Sequence, residues 1–149
     1  MIEVSVVIDA PPAAVWRDLS SIASHVEWMA DAESIRFTTS RRQGLGTEFD
    51  CATRVGPIRL IDHMVVTEWE EGALIGVHHE GVVQGTGRFT LERQTGNATR
   101  LTWSERLRFP WWLGGSVGAV LGRVVLRRIW TANLGRFRAR LAGPPEPRR

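Results

Sequence analysis

Arg100-Leu101-Thr102-Trp103-Ser104-Glu105-Arg106-Leu107-Arg108-Phe109-Pro110 reads as a strand with one wet and one dry face. Its odd positions are apolar except for Glu105 and its even positions through Arg108 are polar, the period of two expected of a half-buried strand. The preceding segment repeats the pattern: Val83, Gly85, Gly87, Phe89 and Leu91 oppose Gln84, Thr86, Arg88, Thr90 and Glu92. Thr95-Gly96-Asn97 separates the two as a turn. Beyond Pro110 the period becomes helical. Val117, Val120, Leu121, Val124, then Leu126, Trp130, Leu134, Phe137 and Leu141 form the apolar stripe of a long helix, which Gly143-Pro144-Pro145 ends.

Upstream, Val55-Gly56-Pro57, Glu71-Gly72 and Glu80-Gly81 punctuate a meander of strands from Gly44 to Phe109. At the start, Ile2, Val4, Val6 and Ile8 alternate with Glu3, Ser5, Val7 and Asp9 as a first strand. Asp9-Ala10-Pro11-Pro12 begins a short helix to about Ser20, with Asp9 offered as its cap and Val15, Trp16 and Leu19 as its apolar stripe. A second helical piece runs from Ser21 to about Trp28 and Met29, and Ile35, Phe37 and Thr39 alternate again as a strand. The predicted class is α+β: an antiparallel sheet wet on one face, two short helices between strands one and two, and a long C-terminal helix covering the dry face.

A chain of 149 residues and 16.7 kDa suits one domain. With 43% hydrophobic and 23% charged residues it is neither disordered nor a disulfide scaffold. Seven Trp and no Tyr suit an apolar interior and exclude tyrosine acid–base chemistry. The single Cys51 cannot form an intramolecular disulfide, and Met1 to Asp9 lacks the pattern of a signal peptide, so a cytoplasmic location is the expectation. The longest uncharged stretch, Phe109 to Gly122, is shorter than the ~20 apolar residues of a membrane span. All nineteen basic residues are Arg; residues 112–149 carry +7 and residues 1–111 carry −4, for a net +3. The basic C-terminal segment is either the solvated face of an amphipathic helix or a contact for an anionic membrane or nucleic acid.

The order of elements, with Ile8-Asp9-Ala10-Pro11-Pro12-Ala13-Ala14-Val15-Trp16, Trp28 in the second helix, Gly44-Leu45-Gly46 and Arg108-Phe109-Pro110 before the final helix, resembles the START-like superfamily, also called SRPBCC or Bet v 1-like. Within it the chain is most similar to the polyketide cyclase/dehydrase group. The resemblance spans roughly residues 2 to 142. It implies a helix-grip fold, a seven-stranded curved antiparallel sheet wrapped around the C-terminal helix and enclosing an apolar cavity. The chain then divides into one START-like domain, residues 1–142, and a disordered basic tail, 143–149.

If the dry face is a cavity wall, strand register puts Glu105 inside it, between Trp103 and Leu107. A carboxylate in apolar surroundings serves as a general acid or orients a ligand. The alternative places Glu105 at the cavity mouth or against an Arg of the final helix, such as Arg123 or Arg127. His79 points inward by the parity of Ile75 and Val77, either as a general base near Glu105 or as a buried structural histidine. Asp62, His63, Met64, His79, Glu80 and Glu105 form a polar group on neighbouring strands without metal-ligand spacing, and no metal or other cofactor is expected. Trp28, Phe49, Cys51, Met64, Trp103 and Trp112 are the expected ligand-binding wall, Cys51 as a small inert hydrophobe. Gly85-Thr86-Gly87 is too short to cradle phosphate and instead opens space on the inner face. Trp111-Trp112-Leu113-Gly114-Gly115 either gates the pocket or dips into a membrane surface, or else staples the final helix.

Three functions follow. The first is binding of a lipophilic small molecule such as a lipid, an isoprenoid or an aromatic polyketide. The second is a cyclase, aromatase or dehydratase using Glu105 and His79 as acid and base. Aromatic cyclases of the resembled family place Arg and Tyr in the cavity, and this chain has no Tyr and no inward Arg on its strands. The third is an Arg-rich C-terminal helix engaging an anionic membrane or nucleic acid; of these partners a peripheral membrane contact is the one expected and nucleic acid is not, and the oligomeric state is open.

Overall fold

The computed structural model describes residues 1–142; the tail expected at 143–149, and the Gly143-Pro144-Pro145 stop, lie outside the described residues. Seven strands, β1 (Ile2–Ile8), β2 (Ala32–Phe37), β3 (Glu48–Val55), β4 (Ile58–Glu70), β5 (Leu74–Glu80), β6 (Gln84–Gln94) and β7 (Ala98–Arg108), make one antiparallel sheet in the order β1-β7-β6-β5-β4-β3-β2. Strands β2 to β7 follow one another as a meander, and β1 closes on β7. The sheet curls around the long helix α2 (Gly115–Leu141), as the helix-grip expectation requires.

Between β1 and β2 lie α1 (Pro12–Leu19) and a 3₁₀ helix, Ile22–Glu27. The cap of α1 is Pro11 and not Asp9. Two successive prolines explain this: Pro11 is extended at φ −68° and ψ 155°, and its carbonyl accepts the amides of Ala14 and Val15. Asp9 thus lies outside the first turn. Val15, Trp16 and Leu19 are buried as the pattern predicts, and the Trp16 indole donates to Glu71 at 2.7 Å. The Thr99 hydroxyl donates to the Ala10 carbonyl at 2.7 Å, tying the start of β7 to the turn that launches α1.

Helix α2 departs from the predicted stripe in its first half. Val117, Val120, Leu121 and Val124 are more than half exposed, whereas Trp130, Leu134 and Phe137 are buried. The reason is where the helix is fastened. Asn133, fully buried, donates from Nδ2 to Asp31 Oδ1 at 2.8 Å and accepts the Ala30 amide at 3.0 Å. Arg136 donates to the Trp28 carbonyl at 3.0 Å, and Arg140 spans Asp18 and Glu27. All of these anchors lie beyond Trp130. The first half presents Gly118, Gly122, Val125 and Leu126 toward the sheet as the wall of a cavity.

Candidate functional site

The cavity between the sheet and α2 has a volume of about 260 Å³. One end is aromatic. Trp103 on β7 stacks on Trp130 of α2 at 4.7 Å with planes 20° apart, and Phe89 on β6 tilts against Trp103 at 5.0 Å. Phe49, Cys51 and Met64 line the wall formed by β3 and β4, where Phe49 pairs with Met64 and Cys51 with Asp62. Burial pushes the Cys51 thiol up to about 11.

The expected wall is incomplete at two positions. Trp28 is buried among Phe137, Phe89, Trp103 and His25 and is not part of the cavity lining. Trp112 is 54% exposed on the 3₁₀ turn Trp111–Leu113 and also stands outside the lining. Its neighbour Leu113 takes that place, because the short turn directs one of its three side chains inward.

The polar end is built on β4, β5 and β7. His79 Nδ1 donates to Asp62 Oδ2 at 2.7 Å, and His79 Nε2 lies 3.2 Å from Glu105 Oε2. The Trp103 indole donates to Glu105 Oε1 at 3.0 Å. His79 and Glu105 are both buried, so Glu105 neither sits at the mouth nor pairs with Arg123 or Arg127. Burial is the largest single influence on His79 and favours its neutral form. The charge of Glu105 and the hydrogen bond to Asp62 together outweigh it and raise His79 to about 10. The Nε2–Glu105 approach is close enough for an ion pair but too poorly aligned for a hydrogen bond, leaving Nε2 without an aligned acceptor; Asp62 Oδ1 is likewise buried without a donor.

What lets β5 reach β7 is β6, the strand between them. His79 pairs with Gly85, Val77 with Gly87, and Gly87 with Glu105. Any side chain at Gly87 would fill the gap, since an added Cβ would lie 2.9 Å from Glu105 Oε1. At Gly85, where φ is +143°, it would run into the Arg106 carbonyl. Gly87 opens inner space as expected and forms the window through which an imidazolium and a carboxylate meet, whereas Gly85 lets β6 lie close against the β7 main chain.

Of the six residues grouped by strand adjacency, the fold brings together Asp62, Met64, His79 and Glu105. His63 turns to the other face, 2.6 Å from Asp50, and Glu80 is exposed. Asp31 and His25 also line the cavity and escaped the strand pattern because they lie on connecting segments. His25 donates from Nε2 to the Leu19 carbonyl at 2.7 Å, and burial lowers it to about 4, so it is neutral at pH 7. Among the described residues no group of three or more His, Cys, Asp or Glu is arranged to hold a metal ion. No described helix is long and apolar enough to cross a membrane.

Residues 1–142 match the family described as "Polyketide cyclase / dehydrase and lipid transport". Proteins of curated function supply no match. Similar solved structures include the Zhui aromatase/cyclase from Streptomyces sp. R1128, with a TM-score of 0.77 and 15% identity over 95% of this chain and 92% of that one. The protein TTHA0849 from Thermus thermophilus superposes with a TM-score of 0.74 at 18% identity, covering 95% and 96% of the two chains. A START superfamily protein from Mycobacterium smegmatis does so at 0.72 and 10% identity, with the same coverage. At these identities the likeness is one of fold.

Proposed function

The chain belongs to the polyketide cyclase/dehydrase and lipid transport family, and on that premise we propose that it binds a small, neutral lipophilic molecule between the sheet and α2. The observation that carries this is the buried Asp62–His79–Glu105 cluster at one end of an otherwise aromatic and aliphatic cavity. The apolar wall supplies affinity and a few convergent polar groups set orientation. His79 Nε2 is covered and without an aligned acceptor in the protein; with a small movement of the Glu105 side chain it donates to a carbonyl or hydroxyl oxygen of the ligand.

Charge selects against an anionic ligand. Asp31, Asp62 and Glu105 line the cavity against one imidazolium, and the Arg88 guanidinium is engaged in two 2.8 Å bonds to Glu68. A ligand carboxylate would add another negative charge in a poorly solvated space. An aromatic polyketide or an isoprenoid alcohol fits this balance better than a fatty acid.

A second reading, acid–base catalysis by His79 and Glu105 in a cyclase or dehydratase, is favoured by their 3.2 Å approach. A general acid works best with a pKa near the working pH, and at about 10 His79 holds its proton through neutrality. It is therefore better suited to orienting and polarising a carbonyl than to giving up a proton.

Native mass spectrometry of the protein from its own host, followed by tryptophan-fluorescence titration with matched neutral and carboxylate ligands, tests the proposal. Co-purification of a neutral hydrophobic mass, and quenching by neutral ligands only, is the expected result. No bound mass and no quenching would refute cavity binding; preferential binding of carboxylates would refute the charge argument.

A further inference from the structure

The outward stripe of α2 and the two tryptophans before it are left largely uncovered by the described residues. Trp111 is 82% exposed, Val117 69%, Leu121 63% and Val120 59%, with Trp112 and Val124 also more than half exposed. At 100° per residue these α2 positions lie opposite Gly118, Gly122 and Leu126, which face the cavity. One helical segment thus walls the cavity on one side and shows an unbroken apolar stripe on the other. Exposed apolar residues recur on other elements beside the cavity: Ile58 and Ile61 at the start of β4 line it while remaining 43% and 60% exposed.

The charge carried by this segment has one sign. No Asp or Glu occurs between Arg106 and Pro145. Arg123, Arg127 and Arg128 are exposed, and among the described residues none of them has a carboxylate within 4 Å. By helical position Arg123 and Arg127 flank the stripe and Arg128 continues it. Two tryptophans at one end, a Val/Leu face, and arginines along the flank are the features of a helix lying in a membrane interface, where indoles settle at the headgroup level and guanidinium groups meet anionic lipid. A second copy of the chain does not fit this surface, because a two-fold pairing would set arginines against arginines with no acid to offset them.

We propose that the Trp111–Leu113 turn and the outward face of α2 from Val117 to Val124 dock on an anionic lipid bilayer, placing the cavity's edge against the membrane. This docking does not depend on what the cavity binds.

Vesicle flotation with phosphatidylcholine alone, and with phosphatidylcholine mixed with phosphatidylglycerol, each at low and high salt, tests it. The expected result is binding to the anionic vesicles roughly tenfold or more tighter than to neutral ones, weakening with salt. Trp111→Ser with Trp112→Ser should abolish that binding, and Arg123→Gln, Arg127→Gln and Arg128→Gln together should remove the anionic preference. All five residues are exposed, so circular dichroism should show the native fold in both variants. Binding that ignores lipid charge, or that survives the tryptophan substitutions, would overturn the proposal. So would failure to bind either vesicle, including the case in which sedimentation shows a dimer that the same substitutions dissociate.

Discussion

His79 Nε2 and Glu105 Oε2 lie 3.2 Å apart across β6, a strand to which neither residue belongs. Ordinary side chains on the intervening strand would separate them. The contact exists because β6 carries glycine opposite Glu105, at Gly87, where an added Cβ would lie 2.9 Å from Glu105 Oε1. A positive and a negative group are thereby held at the polar end of an apolar cavity, and the protonation of His79 becomes a property of three strands together.

Closing the window is the most direct test of this arrangement. Gly87→Ala should push the Glu105 side chain aside, lower the His79 pKa and cost about 1–3 kcal/mol through overpacking. Urea denaturation together with an NMR titration of the imidazole would measure both. A variant with wild-type stability and an unmoved His79 would show that the strand gap is not what joins the pair.

Glu105→Gln keeps the shape and removes the charge. Asp62 still accepts from His79 at Nδ1, so the fold should survive with a loss below the ~3–5 kcal/mol of a buried ion pair left wholly unpartnered. The His79 pKa should fall, and affinity for a neutral lipophile should weaken. Unchanged affinity in a fluorescence titration would count against a site role for Glu105.

The two cavity histidines should respond oppositely to pH. His79 is raised above its unfolded value of 6.5, so its stabilisation is complete below pH 6.5 and is lost as pH rises through about 10. His25 is depressed to about 4, so the unfolded chain takes up a proton first and stability falls as pH drops from 6.5 toward 4. Imidazole nitrogen shifts at pH 7.5 should show His79 doubly protonated and His25 neutral. A neutral His79 would remove the basis for its proposed donor role.

Cys51 should be a slow thiol. Raised to about 11 and buried, it should hold roughly two orders of magnitude less thiolate at pH 8 than a free cysteine, and react correspondingly slowly with iodoacetamide. A lipophilic ligand that fills the cavity should slow it further. Rapid alkylation in the native state would contradict the burial of this wall.

Trp130 joins the aromatic end of the cavity to the anchor of α2, since its ring stacks on Trp103 and its indole points to Asp31 at 3.4 Å. Trp130→Ala should cost about 3–5 kcal/mol, as large-to-small core changes do. Trp130→Phe, which retains a ring, should recover most of that loss in the same denaturation assay.

The strands and their inward faces were legible because a period of two survives in the residues themselves. Glu105 stood out as the one charged group in the dry register of β7, and the parity of Ile75 and Val77 placed His79 inward. The same logic went wrong on α2, where Val117, Val120, Leu121 and Val124 follow the helical period but are exposed. Periodicity shows which residues share a face, not whether anything covers that face. Trp28 and Trp112 were expected in the cavity wall from the number of large apolar residues in a hollow fold, and indoles suit core, pocket and surface alike.

The sequence alone determined the α+β plan, the turns between strands β3 to β7, and the presence of an acid and an imidazole on the dry side of the sheet. These are local consequences of backbone period and turn chemistry. That Asp62, His79 and Glu105 meet, that Asn133 and Asp31 fasten one half of α2, and that the other half stands over the cavity are properties of the folded chain. Each depends on residues tens of positions apart brought together by strand pairing and helix docking, and on glycines whose missing side chains matter only once their neighbours are in place.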